Sequence, residues 1–225
     1  AHSYASGAHV AIWPFATYKA VLQYNEAYNT QTANDGQGFD CDYQCYYTTF
    51  QYNYSHDNQG GFMLICTEPT DWNGNAAYNV GSVVRYNISQ NDLHYTFSLV
   101  GAIDDTKIYN NTLYTSWNQA GNSTNTFFTF SKGSSKYNGR KYADNTLIAN
   151  NIFYVESCER FSLSDTTNTV FKNNLVYGRY SYNAPKTGEN NIIGQDPCFV
   201  NEGKAGVGIA SCSAYELYDN SPAIG

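Results

Sequence analysis

The segment Asp35-Gly-Gln-Gly-Phe-Asp-Cys-Asp42 carries three carboxylates in eight residues. Read as a strand, Gly38 to Asp42 alternates, sending Phe39 and Cys41 to one face and Asp40 and Asp42 to the other, about 7 Å apart. With Phe39 inward and aligned with Phe62 one turn on, both carboxylates point outward, and Asp35 stands on the preceding turn. Mutual repulsion would split their proton affinities. That is the requirement of glycoside hydrolysis, where one carboxyl keeps its proton for the leaving oxygen while another attacks or activates water. The same two side chains are also candidate ligands for Ca²⁺, which in a uronate lyase would neutralise the substrate carboxylate while a basic group removes a proton. His56, in Tyr54-Ser-His-Asp-Asn58, and Arg85, before Tyr86-Asn87, complete the candidate catalytic set.

Asp35, Glu68 and His94 are candidate substrate contacts. Trp72 and Trp117 join them because a flat ring covers the apolar face of a pyranose. Glu68, Asp71 and Trp72 fall in one inserted loop that could wall a groove, and Trp117 falls in another. Triad, phosphate-loop and zinc-protease spacings are absent.

A short motif positions these groups: an apolar residue, two variable residues, Asn, then a mixed stretch often closing in Tyr. It occurs around Asn25, Asn53, Asn87, Asn111, Asn151 and Asn174. The intervals are 28, 34, 24, 40 and 23 residues, so the unit is near 23 residues and the longer intervals hold loops. Between successive motifs lies a second apolar segment, as in Gly61 to Cys66 and Thr126 to Phe130. A unit of this length makes one turn of chain with at least two short strands, and stacked turns put equivalent strands in parallel. The six Asn should then stack inward at one corner, satisfying turn backbone and one another.

Composition narrows the partners. The chain has 225 residues and a net charge of −7, with 14% charged residues and 22 Tyr. No basic face is available for phosphates, so nucleic acid is not expected. The apolar runs are too short for a membrane helix, and one domain over residues 1–225 is expected. Six cysteines lacking metal spacing, and four glycosylation sequons at Asn53, Asn87, Asn110 and Asn122, point to a secreted, extracellular protein. Asn53 and Asn87 are ladder positions, leaving Asn122 and then Asn110 as expected glycan sites. Cys198 with Cys212, and Cys45 with Cys66, are the expected disulfides.

The runs Asp35 to Tyr43, Gln51 to Phe62, Arg85 to Asn91, Ile193 to Val200 and Ser221 to Ile224 together resemble secreted right-handed parallel β-helix repeat proteins of the pectate-lyase-like superfamily. The resemblance implies an all-β fold, a right-handed parallel β-helix (solenoid) with inserted loops between turns. It also implies a polysaccharide or oligosaccharide partner in a groove on one sheet. Such proteins often begin with a helical cap and further turns, so the expectation includes a missing N-terminal part of the same solenoid. The superfamily holds several activities. Lyase chemistry on an acidic polysaccharide is the first expectation, a carboxylate-pair glycoside hydrolase the alternative, and a non-catalytic glycan-binding or structural solenoid the third.

Overall fold

The computed structural model describes residues 2–3, 9–32, 34–67, 78–116, 126–133, 141–162, 165–181 and 190–224. The chain is all-β, and every pairing between its strands is parallel among these residues. Three sheets share the work. The first has six strands: Val21–Gln23, Thr49–Gln51, Val83–Arg85, Lys107–Tyr109, Leu147–Ala149 and Val170–Lys172. Each is followed two residues later by a strand of the largest sheet: Glu26–Tyr28, Tyr54–His56, Ile88–Gln90, Thr112–Thr115, Ile152–Ser162 and Leu175–Ser181, in that order. A second run of the same sheet stacks Gln37–Cys41, Gly61–Cys66, Tyr95–Val100 and Thr126–Ser131, and the long strand Ile152–Ser162 joins both runs. Asn79–Val80, Ile103–Asp104, Ala143–Asp144 and Thr166–Thr167 form the third sheet. This repeating order of parallel strands fits a β-helix-like solenoid.

The corner between the first and largest sheets explains the sequence motif. Its first residue is left-handed in every turn, at φ 55, 54, 53, 55, 55, 53 and 61 for Tyr24, Tyr52, Tyr86, Asn110, Asn150, Asn173 and Asn190. Its second residue is the ladder Asn. Each ladder Nδ2 donates to the Oδ1 of the next Asn, at 3.0 Å from Asn25 to Asn53, Asn53 to Asn87, Asn87 to Asn111 and Asn111 to Asn151. The same Oδ1 also accepts the backbone N–H of the Asn one turn back, as Asn111 Oδ1 does from Asn87. All six expected members take part, and Asn191 adds a seventh by accepting from Asn174. The amides of Asn53 and Asn87 are buried and bonded on this ladder, which closes both sequons to a glycan.

Inward positions fill the core. Phe39, Met63, Phe97 and Phe128 stack in register along the second run, with Cys41, Ile65, Leu99 and Phe130 beside them. Phe39 therefore aligns with Met63, not Phe62. Because the offset between these two strands is a constant 24 residues, Phe62 falls opposite Gly38 and meets Phe39 edge to face. The outward side of the first run is covered by the chain's own end. Residues 195–224, including the 3₁₀ helix Ile209–Tyr215, lay Phe199, Ala205, Ala214 and Tyr215 over Tyr54, Tyr114 and Tyr154. Gly203, at φ 70, is required there, since a Cβ would lie 2.6 Å from the Tyr114 ring. One half of the largest sheet is thereby covered, while the outward face of Gln37–Cys41 and Gly61–Cys66 lines a cavity.

Candidate active site

Asp40 and Asp42 do project outward from Gln37–Cys41 and its end, opposite Phe39 and Cys41. Asp40 is only 4% exposed and Asp42 is half-buried. Register places Asp40 beside Leu64, so Cys66 comes next to Asp42 on the neighbouring strand. Cys66 Sγ lies 3.5 Å from Asp42 Oδ1 and 3.8 Å from Asp40 Oδ1, and the two carboxylates and the thiol gather within 4.8 Å of one another. They line a cavity of about 270 Å³ that Asp35, His9, Trp13 and Tyr43 also enclose.

The electrostatics follow from crowding acids in a half-dry space. Burial, then the charges of Asp42 and Asp35, push the Asp40 carboxyl well above the usual range, against a hydrogen bond from Cys66 that lowers it. Asp35 sits exposed at the rim. Its proton affinity is raised by partial burial and by Asp42, and His9 opposes the rise. The Cys66 thiol is pushed well up by burial and by both neighbouring carboxylates, so it remains a thiol and a donor. Crowding and burial therefore favour the protonated form of Asp40 most strongly.

The backbone beneath is clamped. Asn79 Nδ2 donates to the carbonyls of Cys41 (2.7 Å), Asp42 (3.0 Å) and Cys66 (3.2 Å), tying both strand ends that bear the cluster. Ser82 Oγ donates to Asn79 Oδ1 at 2.9 Å and fixes the amide's orientation. Sequence reasoning missed Asn79, His9 and the role of Cys66. The outward alternation of Gly61 to Cys66 could have shown Cys66; His9 and Asn79 fall in no repeating pattern.

The remaining candidates are spread out. His56 is buried under the C-terminal segment, stacked on Tyr28 and Tyr54, with Nδ1 2.8 Å from Asp57 and Nε2 3.2 Å from Glu26. Arg85 lies on the first sheet, where Nε and Nη2 donate to Gln51 Oε1 (2.9 and 2.8 Å) and Nη1 to the Tyr109 hydroxyl (2.9 Å). Neither lines the carboxylate cavity, because the solenoid carries their strands on other faces. His94 is half-buried against Tyr95, and burial lowers its pKa. Trp13 is 53% exposed at the cavity. Asn110 is half-buried beside the ladder. Glu68, Asp71, Trp72, Trp117 and Asn122 lie outside the described residues.

The expected disulfides are corrected. Cys45, Cys66, Cys198 and Cys212 are free thiols, as is Cys41. Cys45, beyond the turn that follows Gln37–Cys41, points into the core, where Thr17 donates to it, while Cys66 faces outward to the carboxylates, so the wall of the solenoid parts them. Cys198 turns to the carbonyl of Asp196, whereas Cys212 packs against the tyrosines under the C-terminal segment.

Comparison with known proteins adds one relative. The chain is 32% identical over 194 residues to a lacto-N-biosidase of Bifidobacterium longum subsp. longum. The match takes in 84% of this chain but 10% of that lacto-N-biosidase, so the chain spans about a tenth of its length. No family model matches the chain.

Proposed function

We propose that the chain belongs to a carbohydrate-active enzyme that hydrolyses a glycosidic bond in an oligosaccharide. The observation that carries this is the Asp40–Asp42 pair: two carboxylates within 4.8 Å in one cavity, one of them held strongly towards its protonated form. Carboxyl groups about 5 Å apart suit a retaining hydrolase, whose second carboxylate attacks the sugar directly, whereas an inverting enzyme needs roughly 6.5 to 9.5 Å to admit water. On this reading Asp40 gives its proton to the leaving oxygen and Asp42 attacks. A second assignment has its own support. Asp35 is exposed at the rim and also raised, which gives it freer access to a leaving group than Asp40.

The likeness to a lacto-N-biosidase supports hydrolysis and an oligosaccharide substrate over the lyase chemistry first expected from sequence. The cavity's own residues support it too. Among the described residues they bring three carboxylates together and, apart from His9, no basic side chain to receive a uronate. The donor set suits Ca²⁺ poorly, since that ion takes six to eight oxygens and the third member here is a protonated thiol. No step of the proposed hydrolysis passes through calcium. Right-handed winding, as in the pectate-lyase-like superfamily, is the hand that parallel crossovers between twisted strands adopt. Action on glycans outside the cell is part of the same proposal.

The test is release of reducing ends from a lacto-N-biose-containing oligosaccharide by the chain and by Asp35→Asn, Asp40→Asn and Asp42→Asn. Asp42→Asn is expected to lose at least about a hundredfold, on the general scale of acid–base and nucleophile loss. Whichever of the other two loses as much is the acid. Full activity in all three, or an unsaturated uronate product, would overturn the proposal.

A further inference from the structure

A second cleft lies far along the same sheet. In the first run of the largest sheet one outward column reads Tyr28, His56, Gln90, Tyr114, Tyr154 and Tyr177 in register. The next turn puts Gly194 at this position, two residues after the pair Leu175 and Ile192. A Cβ there would meet nothing within 4 Å. The aromatic column thus stops at open space, and a cavity of about 520 Å³ opens beside Tyr154, Glu156, Tyr177 and Arg179. Its floor is bare backbone at Gly178, where φ is 102 and a Cβ would stand 2.0 Å from the Val155 carbonyl oxygen. No other residue fits.

The walls have the character of a sugar subsite. Tyr177 is half-buried and set edge to face on Tyr154 with ring centres 5.0 Å apart, and Asp196 stands near its hydroxyl. Packing on Tyr154 orients the ring before a ligand arrives. Glu156 accepts a hydrogen bond from the Tyr114 hydroxyl at 3.0 Å, which holds its carboxylate at the cleft, and exposed Arg179 supplies donors. An aromatic ring with a carboxylate and a guanidinium at its edge matches a pyranose, apolar on its face and hydroxylated at its rim. Glu156 and Asp196 together outnumber Arg179 around Tyr177, which favours a neutral sugar over an acidic one.

Four to five strand spacings separate this cleft from Asp40 on the sheet path, roughly 20 Å at about 4.8 Å per spacing. We infer that the Tyr154–Tyr177–Glu156–Arg179 cleft is a separate binding site for neutral oligosaccharide, holding glycan away from the carboxylate cavity. The substrate class rests on the hydrolase reading, but the site does not.

Calorimetric titration of the intact chain with lactose, a neutral tetrasaccharide extended from it, and the sialylated form of that tetrasaccharide tests this. The chain should carry Asp42→Asn so that no probe is consumed. The neutral tetrasaccharide should bind, and Tyr177→Ala and Arg179→Ala should each weaken it about tenfold, the loss expected for one aromatic or one charged contact. Thermal melting and the circular dichroism spectrum of each variant would exclude unfolding as the cause. Absence of binding, equal affinity in both variants, or tighter binding of the sialylated probe would overturn the inference. Binding at this cleft, with no cleavage of any probe by the unaltered chain, would sink the hydrolase reading and leave the cleft standing.

Discussion

Cys66 Sγ lies 3.5 Å from Asp42 Oδ1 on the adjacent strand, so an outward thiol is a hydrogen-bonding partner of the proposed catalytic pair. Its contact with Asp40 lowers that carboxyl's proton affinity against burial and against two neighbouring acids. Cys66→Ala removes the donor. Asp40 should then hold its proton to higher pH, and where Asp40 is the general acid the alkaline limb of the rate profile moves upward. Hydrolysis rates measured across pH in both proteins check this; a limb that stays or moves downward opposes it.

Asn111 is the middle of the ladder. Its Oδ1 accepts both the backbone N–H and the Nδ2 of Asn87, and its own Nδ2 donates to Asn151 Oδ1 and to the carbonyl of Val84. Asn111→Ala strands these buried groups and should cost about 1 to 3 kcal/mol. Equilibrium denaturation measures it, and an unchanged midpoint would mean that the ladder is not holding the turns.

A second, shorter ladder contains an acid. Asn58 donates its backbone N–H (3.1 Å) and Nδ2 (2.8 Å) to Asp92 Oδ1, and Ser89 donates to Oδ2 at 2.7 Å. Burial outweighs these bonds and raises Asp92 from 3.8 to about 7. A carboxyl raised on folding favours the fold while protonated, so this stability is present at low pH and is lost as pH climbs from the unfolded value through about 7. Asp92→Asn keeps the acceptor without the charge. It should stabilise the protein above neutral pH, by an amount on the order of 4 kcal/mol at most, and much less near pH 4. Melting temperatures at the two pH values decide; a variant less stable than the parent at both would contradict it.

His56 loses its contribution in the same direction for a different reason. Burial depresses its pKa, but Asp57 and Glu26 outweigh burial and raise it. Its contribution is complete below the unfolded value near 6.5 and is lost as pH rises through the folded one. Glu26 also accepts the backbone N–H of Gly208 at 2.6 Å, so this group links the first turn to the C-terminal segment. His56→Gln should lower the melting temperature more at about pH 6 than at about pH 9, and a pH-independent loss would contradict the charged contact.

The repeat was legible because ladder and turn residues are local: Asn at a fixed place after two strand positions survives any loop length. Alternation likewise gave the outward face of Asp40 and Asp42. Partner identities one turn away were harder, since they depend on register across loops of unequal length, and Phe39 met Met63 where Phe62 was expected. The return of residues 195–224 over Tyr54 left no periodic trace, so His56 read as a candidate catalytic group although it is buried. Cysteine spacing could not show that Cys45 and Cys66 face opposite sides of the wall.

The central claim is that two closely set carboxylates hydrolyse a glycosidic bond by direct attack. Proton NMR of the first-formed product, recorded before the anomers equilibrate, tests it most directly. The account predicts a reducing sugar whose anomeric configuration matches that of the bond cleaved, formed by the unaltered chain and lost in Asp42→Asn. Inverted product, or retained product formed equally well by Asp42→Asn, would contradict it.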